Sequence, residues 1–428
     1  MRSLSTLSVF LTPVLTASLA LPSIAQAPIV SQDTLVGWTP PISPATVGNL
    51  DIQALQKCPP AKRVCKNILF KPSFFWSGGT AYDSRHQSVW ASDGNLLVEY
   101  KVRGCKAICK QNPTLVLNSP IAKSTVTGLA ISDRHSRLFQ LEMIPGRLAI
   151  VTYDNKKCPP KAIAKCILSM GQRDIAAGLA YDETRDLIYF TISQFQSTSG
   201  TYQTILFQAP ASKPCSPVCK WIIPNKCSKK PVTGLTYNAC ADMVYATDGA
   251  VTSHIRVVDP KKCKYSLVAC CKKQLAGDWK GLAMIPGWSL KRVGKSCIGK
   301  PCPNCTGMVH HLAGGDTSLG NPDFKLMLSN APANQIGILY IKLGAAGAGI
   351  QPNFLCAPFY AFPPSLFVVT GLPGVAPCGG TGQVGLPLPN SKKLCGLKLT
   401  TQWLVLCKKG NNFGLSLSNA LEFSLASS

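Results

Sequence analysis

Residues 79–94 read GTAYDSRHQSVWASDG, and related stretches return three times: GLAISDRHSRLF at 128–139, GLAYDETRDLIYF at 178–190 and GLTYNACADMVYATDG at 234–249. A fifth start, GLAMI, occupies 281–285. The steps between the leading glycines are 49, 50, 56 and 47 residues. A period of this size is typical of repeat proteins in which each repeat forms one supersecondary unit.

Each copy has the pattern of a strand, a polar turn and a second strand rich in aromatic and β-branched residues. The Asp or Asn that ends the first strand, as in Asp83 and Asn238, suits an Asx turn. A further hairpin with a close pair of cysteines follows in each unit. Four strands in ~50 residues is the size of a β-propeller blade.

The phase of the repeat indicates how the ring closes. The first cysteine hairpin, 58–65, precedes the first glycine copy, and the last glycine strand, 281–285, has no cysteine hairpin after it. The N-terminal strands are therefore expected to pair with the C-terminal strand in one mixed blade, which removes both exposed edges. The sequence predicts an all-β fold with a five-bladed propeller over 28–295. A sixth blade requires another hairpin within 30–55.

The pattern Gly-Leu-Ala-Tyr-Asp followed by Val-Tyr-Ala-Thr-Asp-Gly resembles the blade repeats of NHL- and YVTN-type β-propellers over residues 79–285. The resemblance implies a propeller fold and says almost nothing about a ligand. The cysteine-paired hairpins depart from the common pattern.

Composition restricts the class of protein. The chain has 428 residues, 46% of them hydrophobic, which suits two domains and excludes a disordered chain. Lys and Arg number 44 against 19 Asp and Glu, a net charge of +25. This excess favours anionic partners. The five His residues argue against a His-rich metal enzyme.

Residues 1–27 have the pattern of a secretory signal peptide that ends in an Ala25-Gln26-Ala27 cleavage site. The alternative, an uncleaved anchor, is disfavoured by Pro13 and by many Ser and Thr. We expect a secreted or cell-surface protein with Sec-type export and no membrane span in the mature chain.

All 20 cysteines follow the predicted signal peptide, and in an exported chain they favour disulfides over metal. We expect one staple in each cysteine hairpin. The predicted pairs are Cys58/Cys65, Cys105/Cys109, Cys158/Cys166, Cys215/Cys219 and Cys263/Cys270. Proximity in sequence suggests Cys227/Cys240, Cys271/Cys297, Cys356/Cys378 and Cys395/Cys407 for the others.

The composition shifts at a Gly/Pro/Lys-rich stretch, which predicts a linker at 296–301. Short strand candidates then alternate with Gly/Pro turns and indicate an antiparallel β-sandwich over 302–428. These candidates are 324–328, 336–342, 366–370, 383–388, 401–407 and 415–417.

The C-terminal region also resembles a domain at the C-termini of exported planctomycete and myxobacterial proteins. The motifs that carry this likeness are CPNCTG at 302–307, GNPDF at 320–324 and LSLSNALE at 415–422. The resemblance implies a non-catalytic role in attachment or sorting.

Cysteine and histidine residues near 300 have ligand-like spacing. Cys302 and Cys305, with Cys297 and His310 or His311, form a C-x2-C-x4-H pattern suited to zinc, but export favours disulfides. A redox role for Cys302/Cys305 needs a strand–helix context that the sequence lacks.

Two Asp–His pairs, Asp83/His86 and Asp133/His135, fall in equivalent turns. They suit an activating dyad, but repeated turn polarity is the favoured interpretation. No Gly-x-Ser-x-Gly elbow or phosphate-binding glycine loop occurs. The sequence predicts no catalytic residue, no metal and no cofactor. A propeller lactonase needs acids clustered at the mouth of the central channel.

Five tryptophans suit either a carbohydrate platform or the blade cores, and the core is the favoured interpretation. They are Trp76, Trp90, Trp221, Trp279 and Trp288.

Lysines surround the cysteine hairpins in every full repeat, and we expect them to form a basic rim on the ring. The nine candidates are Lys106, Lys110, Lys157, Lys161, Lys165, Lys220, Lys262, Lys264 and Lys272. Lysine favours diffuse attraction over bidentate recognition. The alternative is that these lysines only solubilise the surface and block edge pairing.

These observations predict a non-enzymatic exported binding or surface protein. Its expected partner is an anionic polymer or surface, such as an acidic glycan or the cell envelope, or an acidic protein; nucleic acid is not the expected physiological partner. The alternatives are a self-assembling component of an extracellular layer or fibre, and a propeller hydrolase or lactonase.

Overall fold

The computed structural model describes residues 34–39, 48–54, 62–68, 78–92, 96–101, 106–117, 124–272, 279–285, 287, 290–300, 302–303, 305, 307–409 and 412–426. The predicted signal peptide lies outside these residues, as do Cys58, Cys105, Trp76 and Trp288. Within the described part, no helix has the length and apolar character needed to cross a bilayer.

Five antiparallel four-stranded sheets form the N-terminal two thirds of the fold. Blade 1 contains β1 (Thr34–Thr39), β2 (Gly48–Ala54), β3 (Lys62–Ile68) and β20 (Leu282–Ile285); blade 2 contains β4 (Gly79–Asp83), β5 (Ser88–Ser92), β6 (Leu97–Lys101) and β7 (Ala107–Gln111). Blade 3 contains β8 (Thr125–Ser132), β9 (Arg137–Ile144), β10 (Arg147–Asp154) and β11 (Lys161–Ser169). Blade 4 contains β12 (Ile175–Asp182), β13 (Leu187–Gln196), β14 (Thr201–Pro210) and β15 (Cys219–Ile222), and blade 5 contains β16 (Gly234–Asn238), β17 (Met243–Thr247), β18 (Val251–Asp259) and β19 (Lys264–Lys272).

The ring closes as the repeat phase predicts. Strand β20 pairs antiparallel with β1, with Leu35 opposite Met284. The innermost strand of each blade contacts that of the next, in the order β4, β8, β12, β16, β20 and back to β4. The all-β, propeller-like fold with five blades is therefore confirmed within the described residues.

The leading glycines of the repeats lie where these innermost strands approach one another. A Cβ atom added at Gly79 would lie 2.7 Å from the carbonyl carbon of Gly128, and one at Gly234 would lie 2.6 Å from that of Gly281. The same contact joins Gly128 to Gly178, Gly178 to Gly234 and Gly281 to Gly79. Any side chain at these positions would push the strands apart, which explains why the repeat begins with glycine.

The turns after the innermost strands have the predicted Asx geometry. The backbone N–H groups of Arg85 and His86 donate to Asp83 Oδ1, and that of Ala241 donates to Asn238. In blade 3 the capping residue is Ser132, whose hydroxyl accepts from the His135 N–H. The treatment of Asp133 as the counterpart of Asp83 is therefore wrong, since Asp133 lies one residue further along the repeat.

The cysteines join neighbouring blades rather than the strands of one hairpin. Cys109 on β7 pairs with Cys158 before β11. Links of the same kind are Cys166–Cys215 and Cys219–Cys263, and Cys227–Cys270 adds a second bond between blades 4 and 5.

The predicted hairpin pairs Cys105/Cys109, Cys158/Cys166, Cys215/Cys219 and Cys263/Cys270 are therefore wrong. Cys166 lies within β11 and Cys158 precedes that strand. Along an extended strand, residues advance about 3.3 Å each, so two cysteines eight positions apart are too distant for a bond that needs Cα atoms about 4.4–6.8 Å apart.

The predicted pair Cys58/Cys65 falls outside what the structure describes, because Cys58 is not among the described residues. The backbone of Cys65 lies on β3, the outermost strand of blade 1, opposite Leu50 of β2. The bond Cys58–Cys65 stays a prediction.

The C-terminal part is a sandwich of two antiparallel sheets, as predicted. The larger sheet has the order β21-β29-β27-β24-β25, with β28 also paired to β27, and the smaller sheet has the order β22-β23-β26. The bounds are β21 (Leu290–Val293), β22 (Val309–Ala313), β23 (Lys325–Ala331), β24 (Gln335–Leu343), β25 (Leu366–Leu372), β26 (Gly380–Gly385), β27 (Lys398–Lys409), β28 (Asn412–Leu417) and β29 (Ala420–Ser424). A single 3-10 turn, Lys392–Leu394, is the one helical element among the described residues. Phe324, Trp403 and Phe423 are fully buried between the sheets.

The predicted linker at 296–301 and the domain boundary at 295 are wrong. Strand β21 already belongs to the C-terminal sheet, because Leu290–Val293 pair with β29. Cys297 forms a bridge with Leu417, and the Gly299 N–H donates to the Ser416 hydroxyl. Gly294 and Gly299 therefore lie within the second domain rather than in a linker.

The remaining disulfides also differ from the pairs suggested by proximity in sequence, so Cys227/Cys240, Cys271/Cys297, Cys356/Cys378 and Cys395/Cys407 are wrong. The bonds are Cys297–Cys356, Cys302–Cys407, Cys305–Cys378 and Cys240–Cys395. The last one joins the propeller to the C-terminal domain.

Candidate functional site

The nine predicted lysines lie together on the outer rim of the propeller. Each is on an outermost strand or in the turn that leads to it, and each is exposed. Lys110 lies on β7, Lys161 and Lys165 on β11, Lys220 on β15, and Lys264 and Lys272 on β19, while Lys106, Lys157 and Lys262 precede such strands.

Exposed isoleucine and valine side chains alternate with these lysines. On β11, Lys161, Ile163, Lys165 and Ile167 occupy every second position, and all four are exposed. A bulge at Ile163 interrupts this alternation. Lys165 and Ile167 follow the bulge and share one face of the strand, which is therefore both cationic and apolar. Val218, Lys220 and Ile222 repeat the arrangement at β15, and Ile108 and Lys110 do so on β7.

The inter-blade disulfides fix the spacing of this rim. Cys109, Cys166 and Cys219 lie on the same outermost strands as the lysines. The ion pairs Arg85–Asp83 and Lys392–Asp242 lie at the channel mouth, away from the outer rim. The rim is thus a rigid surface of positive charge.

A second cluster, of acids, lies at the mouth of the central channel, where the innermost strands end. Asp133 and Glu183 occupy the same repeat position as Ser84, one residue after each capping residue, and all three line the channel. Ser84 donates to Asp133 Oδ2, and Ser132 donates to Glu183 Oε1 at 3.2 Å. Counting from the leading glycine locates this position, which the sequence analysis missed.

The C-terminal domain covers this mouth with a third acid. Tyr82 donates to Asp316 Oδ2 at 2.8 Å, and Asp316 is fully buried. Asn390 donates to the Glu183 carbonyl, and Lys392 Nζ lies 2.8 Å from Asp242 Oδ2. The Cys240–Cys395 disulfide lies next to these contacts.

Burial favours the protonated form of these acids. It raises the pKa of Glu183 to about 7 and that of Asp316 to about 6. The pKa of Asp133 is also raised, first by burial and then by the charges of Asp83 and Glu183. Arg85 Nε lies 3.7 Å from Asp133 Oδ1 and opposes this shift.

The channel mouth therefore meets one condition for the hydrolase alternative, a cluster of acids. The space there is small: the cavity measures about 50 Å³, against roughly 300–1,000 Å³ for ordinary ligand pockets. The acids also accept hydrogen bonds from the protein itself, and the second domain lies over them.

The predicted Asp83/His86 pair forms part of a three-residue group with Glu99. His86 Nδ1 lies 2.9 Å from Glu99 and 3.4 Å from Asp83, so the group has the composition of a metal site. The Asp83 carboxylate, however, already accepts hydrogen bonds from the Arg85 guanidinium and from two backbone N–H groups. His135 in the equivalent turn is exposed.

The zinc candidates of the C-terminal domain are bonded as disulfides at Cys297, Cys302 and Cys305. His310 is buried, and burial lowers its pKa to about 3. Among the tryptophans, Trp90 and Trp279 lie in blade cores, whereas Trp221 is half-buried against Tyr265.

No protein-family model and no curated protein matches this chain. Solved structures with some likeness include a β-propeller domain from Myceliophteria thermophila, 9% identical, covering 67% of this chain and 75% of that one with a TM-score of 0.31. A chain of the mitotic checkpoint complex is 11% identical over 64% and 92% of the two chains, with a TM-score of 0.31. A Bacteroides uniformis protein, provisionally described as a 6-phosphogluconolactonase, is 10% identical over 62% and 88%, with a TM-score of 0.33. Scores this low carry no argument about function, and the propeller assignment rests on the strand pairing.

Proposed function

We propose that this chain is a non-enzymatic, exported binding or surface protein whose basic rim holds an anionic polymer or surface. The observation that carries the proposal is the common position of the nine lysines, all exposed and all on outermost strands or the turns before them. A field of this kind attracts polyanions, and salt weakens the attraction.

Two further features support the proposal. Eight disulfides among the described cysteines are typical of an oxidising compartment. The exposed Ile and Val side chains between the lysines add apolar contact, which suits a partner with both charged and apolar parts, such as an anionic glycan or envelope surface.

The acids at the channel mouth favour the alternative, a propeller hydrolase. Against it stand the small cavity and the domain that covers it. Binding by the rim requires no change in the structure, whereas hydrolysis requires the mouth to open.

The test compares a variant that loses four rim lysines with a control variant that loses four lysines elsewhere. The rim variant carries Lys161→Gln, Lys165→Gln, Lys220→Gln and Lys264→Gln. The control carries Lys291→Gln, Lys295→Gln, Lys300→Gln and Lys393→Gln, four exposed lysines of the C-terminal domain. Binding to dextran sulfate, alginate, neutral dextran, DNA and phosphatidylglycerol vesicles is measured at about 50 and 200 mM salt.

We expect wild-type protein to bind one class of polyanion at low salt with a steep dependence on salt. The rim variant should bind at least about tenfold more weakly, and the slope of log affinity against log salt should fall by about 3. The control should keep most of the affinity. Equal losses in both variants, or no binding by wild-type protein at low salt, would overturn the proposal.

A further inference from the structure

Strand β25 is the terminal strand of the larger C-terminal sheet, and it carries no charge. Its sequence, LFVVTGL, contains no Lys, Glu, Asp, Arg or Pro. Within the described residues it pairs with β24 alone, in continuous register from Gln335 opposite Leu372 to Ile341 opposite Leu366. Among the residues that the structure describes, no strand therefore pairs with the outer edge of this apolar strand.

The edge strands of the propeller, unlike β25, are protected from pairing with other chains. The outermost strands β7, β11, β15 and β19 carry exposed lysines, and disulfides join each of them to a neighbouring blade. Lysines and bulges on an edge strand prevent it from pairing with another chain. Strand β25 has none of these protections, so its edge has the features of a strand that pairs with a partner.

The outward face of the sheet beside β25 is also apolar. Phe367 and Val369 expose 60% and 56% of their surface. Phe367 lies opposite Tyr340 and Val369 lies opposite Ile338 on β24. A Cβ added at Gly371 would meet no atom within 4 Å. Lysines on this face occur at its ends, at Lys342 and Lys408.

The apolar side chains of this face supply part of the area that a stable contact between two proteins needs. Ile336 and Phe362 are exposed by about half, like Phe367 and Val369 of β25. With roughly 150–250 Å² for each large side chain, these four offer on the order of 400 Å² per copy, against about 800 Å² for a standard interface. Hydrogen bonds between two edge strands would add to this area.

Charge indicates which partner fits. The chain carries +25, and an acidic partner would be attracted by lysines on the contact surface. An uncharged edge strand favours pairing with a partner that is also positively charged, because like charges directly opposite each other across an antiparallel pair are destabilising. A second copy of this chain is such a partner. A two-fold axis also places a strand antiparallel to itself.

We propose that β25 pairs antiparallel with β25 of a second copy and extends the larger sheet across a two-fold axis. The contact buries Phe367 and Val369 of both copies and leaves the basic rim of each propeller exposed. The inference does not depend on what the rim binds.

The test is the mass of the mature protein by analytical ultracentrifugation over a range of concentrations and at two salt concentrations. We expect a dimer whose affinity is unchanged or stronger at high salt, because salt screens the repulsion between two cationic copies. Val369→Lys places like charges at the axis and should give a monomer with an unchanged melting temperature. Ile163→Lys, an equally exposed residue of β11, is the matched control and should remain dimeric.

A mixture of Val369→Lys and Val369→Glu chains tests the symmetry. The two charges meet only if β25 faces β25, so the mixture should restore the dimer. A monomeric wild-type protein at all concentrations would overturn the proposal, and would leave the edge to a strand from a different protein. A Val369→Lys protein as dimeric as wild type would also overturn it.

Discussion

The glycine that begins each repeat serves a close approach of backbones rather than flexibility. At Gly128 a Cβ would lie 2.8 Å from the Leu179 backbone nitrogen and 3.0 Å from the Gly178 carbonyl carbon. Neither atom belongs to a side chain that can rotate away. The five equivalent contacts form a closed ring, so displacement at one is transmitted to the others.

Gly128→Ala should therefore destabilise the propeller. Overpacking against backbone costs roughly 1–3 kcal/mol or more, and the melting temperature of the oxidised protein should fall. Gly385→Ala is the control, because a Cβ there meets no atom within 4 Å. A Gly128→Ala protein that melts with the control would contradict the role given to the glycine ring.

Single positions also show the limit of sequence reasoning. The Asx turn at Asp83 was predictable from local chemistry, since the side chain bonds its own backbone. The repeat position of Asp133 and Glu183 can also be found by counting from the leading glycine. The complete acid cluster could not be predicted, because its third member, Asp316, is supplied by the second domain far along the chain.

For the secondary-structure elements, the order of the strands was predictable from the sequence, whereas the disulfides that connect them were not. The two incomplete repeats at the ends of the propeller can complement each other in one way, and β20 pairs with β1 accordingly. Disulfides link equivalent strands of adjacent blades, so a cysteine's partner is set by the packing of blades rather than by the nearest cysteine. Leu290–Val293 were missed for the same reason, since their partner strand is at the end of the chain.

Removal of one inter-blade disulfide should lower stability. Cys166 and Cys215 are 49 residues apart, and the chain-entropy treatment gives up to about 4 kcal/mol for a loop of that length. The double variant Cys166→Ser/Cys215→Ser should melt earlier than wild type, and non-reducing peptide mapping should show the Cys109–Cys158 and Cys219–Cys263 bonds intact. Recovery of a Cys158–Cys166 peptide from wild-type protein would refute the assignment.

The molecule carries basic residues and buried acidic residues in two separate regions. Exposed lysines occupy the circumference of the propeller, whereas the buried acids Asp133, Glu183 and Asp316 lie at its axis beneath the C-terminal domain. The separation keeps the acids from neutralising the rim.

The buried acids make stability depend on pH. In the unfolded chain Glu183 and Asp316 ionise near their usual pKa values of 4.5 and 3.8, but in the folded protein the pKa values are about 7 and about 6. The folded state therefore holds protons that the unfolded state has released, so the contribution of these two acids to stability is complete below about pH 4 and declines as pH rises to about 7. Buried His310, whose pKa is lowered to about 3, contributes in the opposite direction over this range. Asp242, whose pKa is lowered, acts below this window.

Glu183→Gln should flatten that decline, because a neutral amide oxygen still accepts from Ser132 and from the Arg134 N–H. The measurement is the melting temperature of both proteins between about pH 4 and 8. Two curves that fall in parallel would show that Glu183 does not cause the decline.

The inter-blade disulfides have a consequence for proteolysis. Residues 197–200 form an exposed hairpin tip between β13 and β14, where a protease has ready access to the backbone. A cut there falls between Cys166 and Cys215, so both fragments remain covalently joined. The chain is in this way protected against its first cleavage, since the nicked chain keeps its ring and its rim together until the disulfide is reduced.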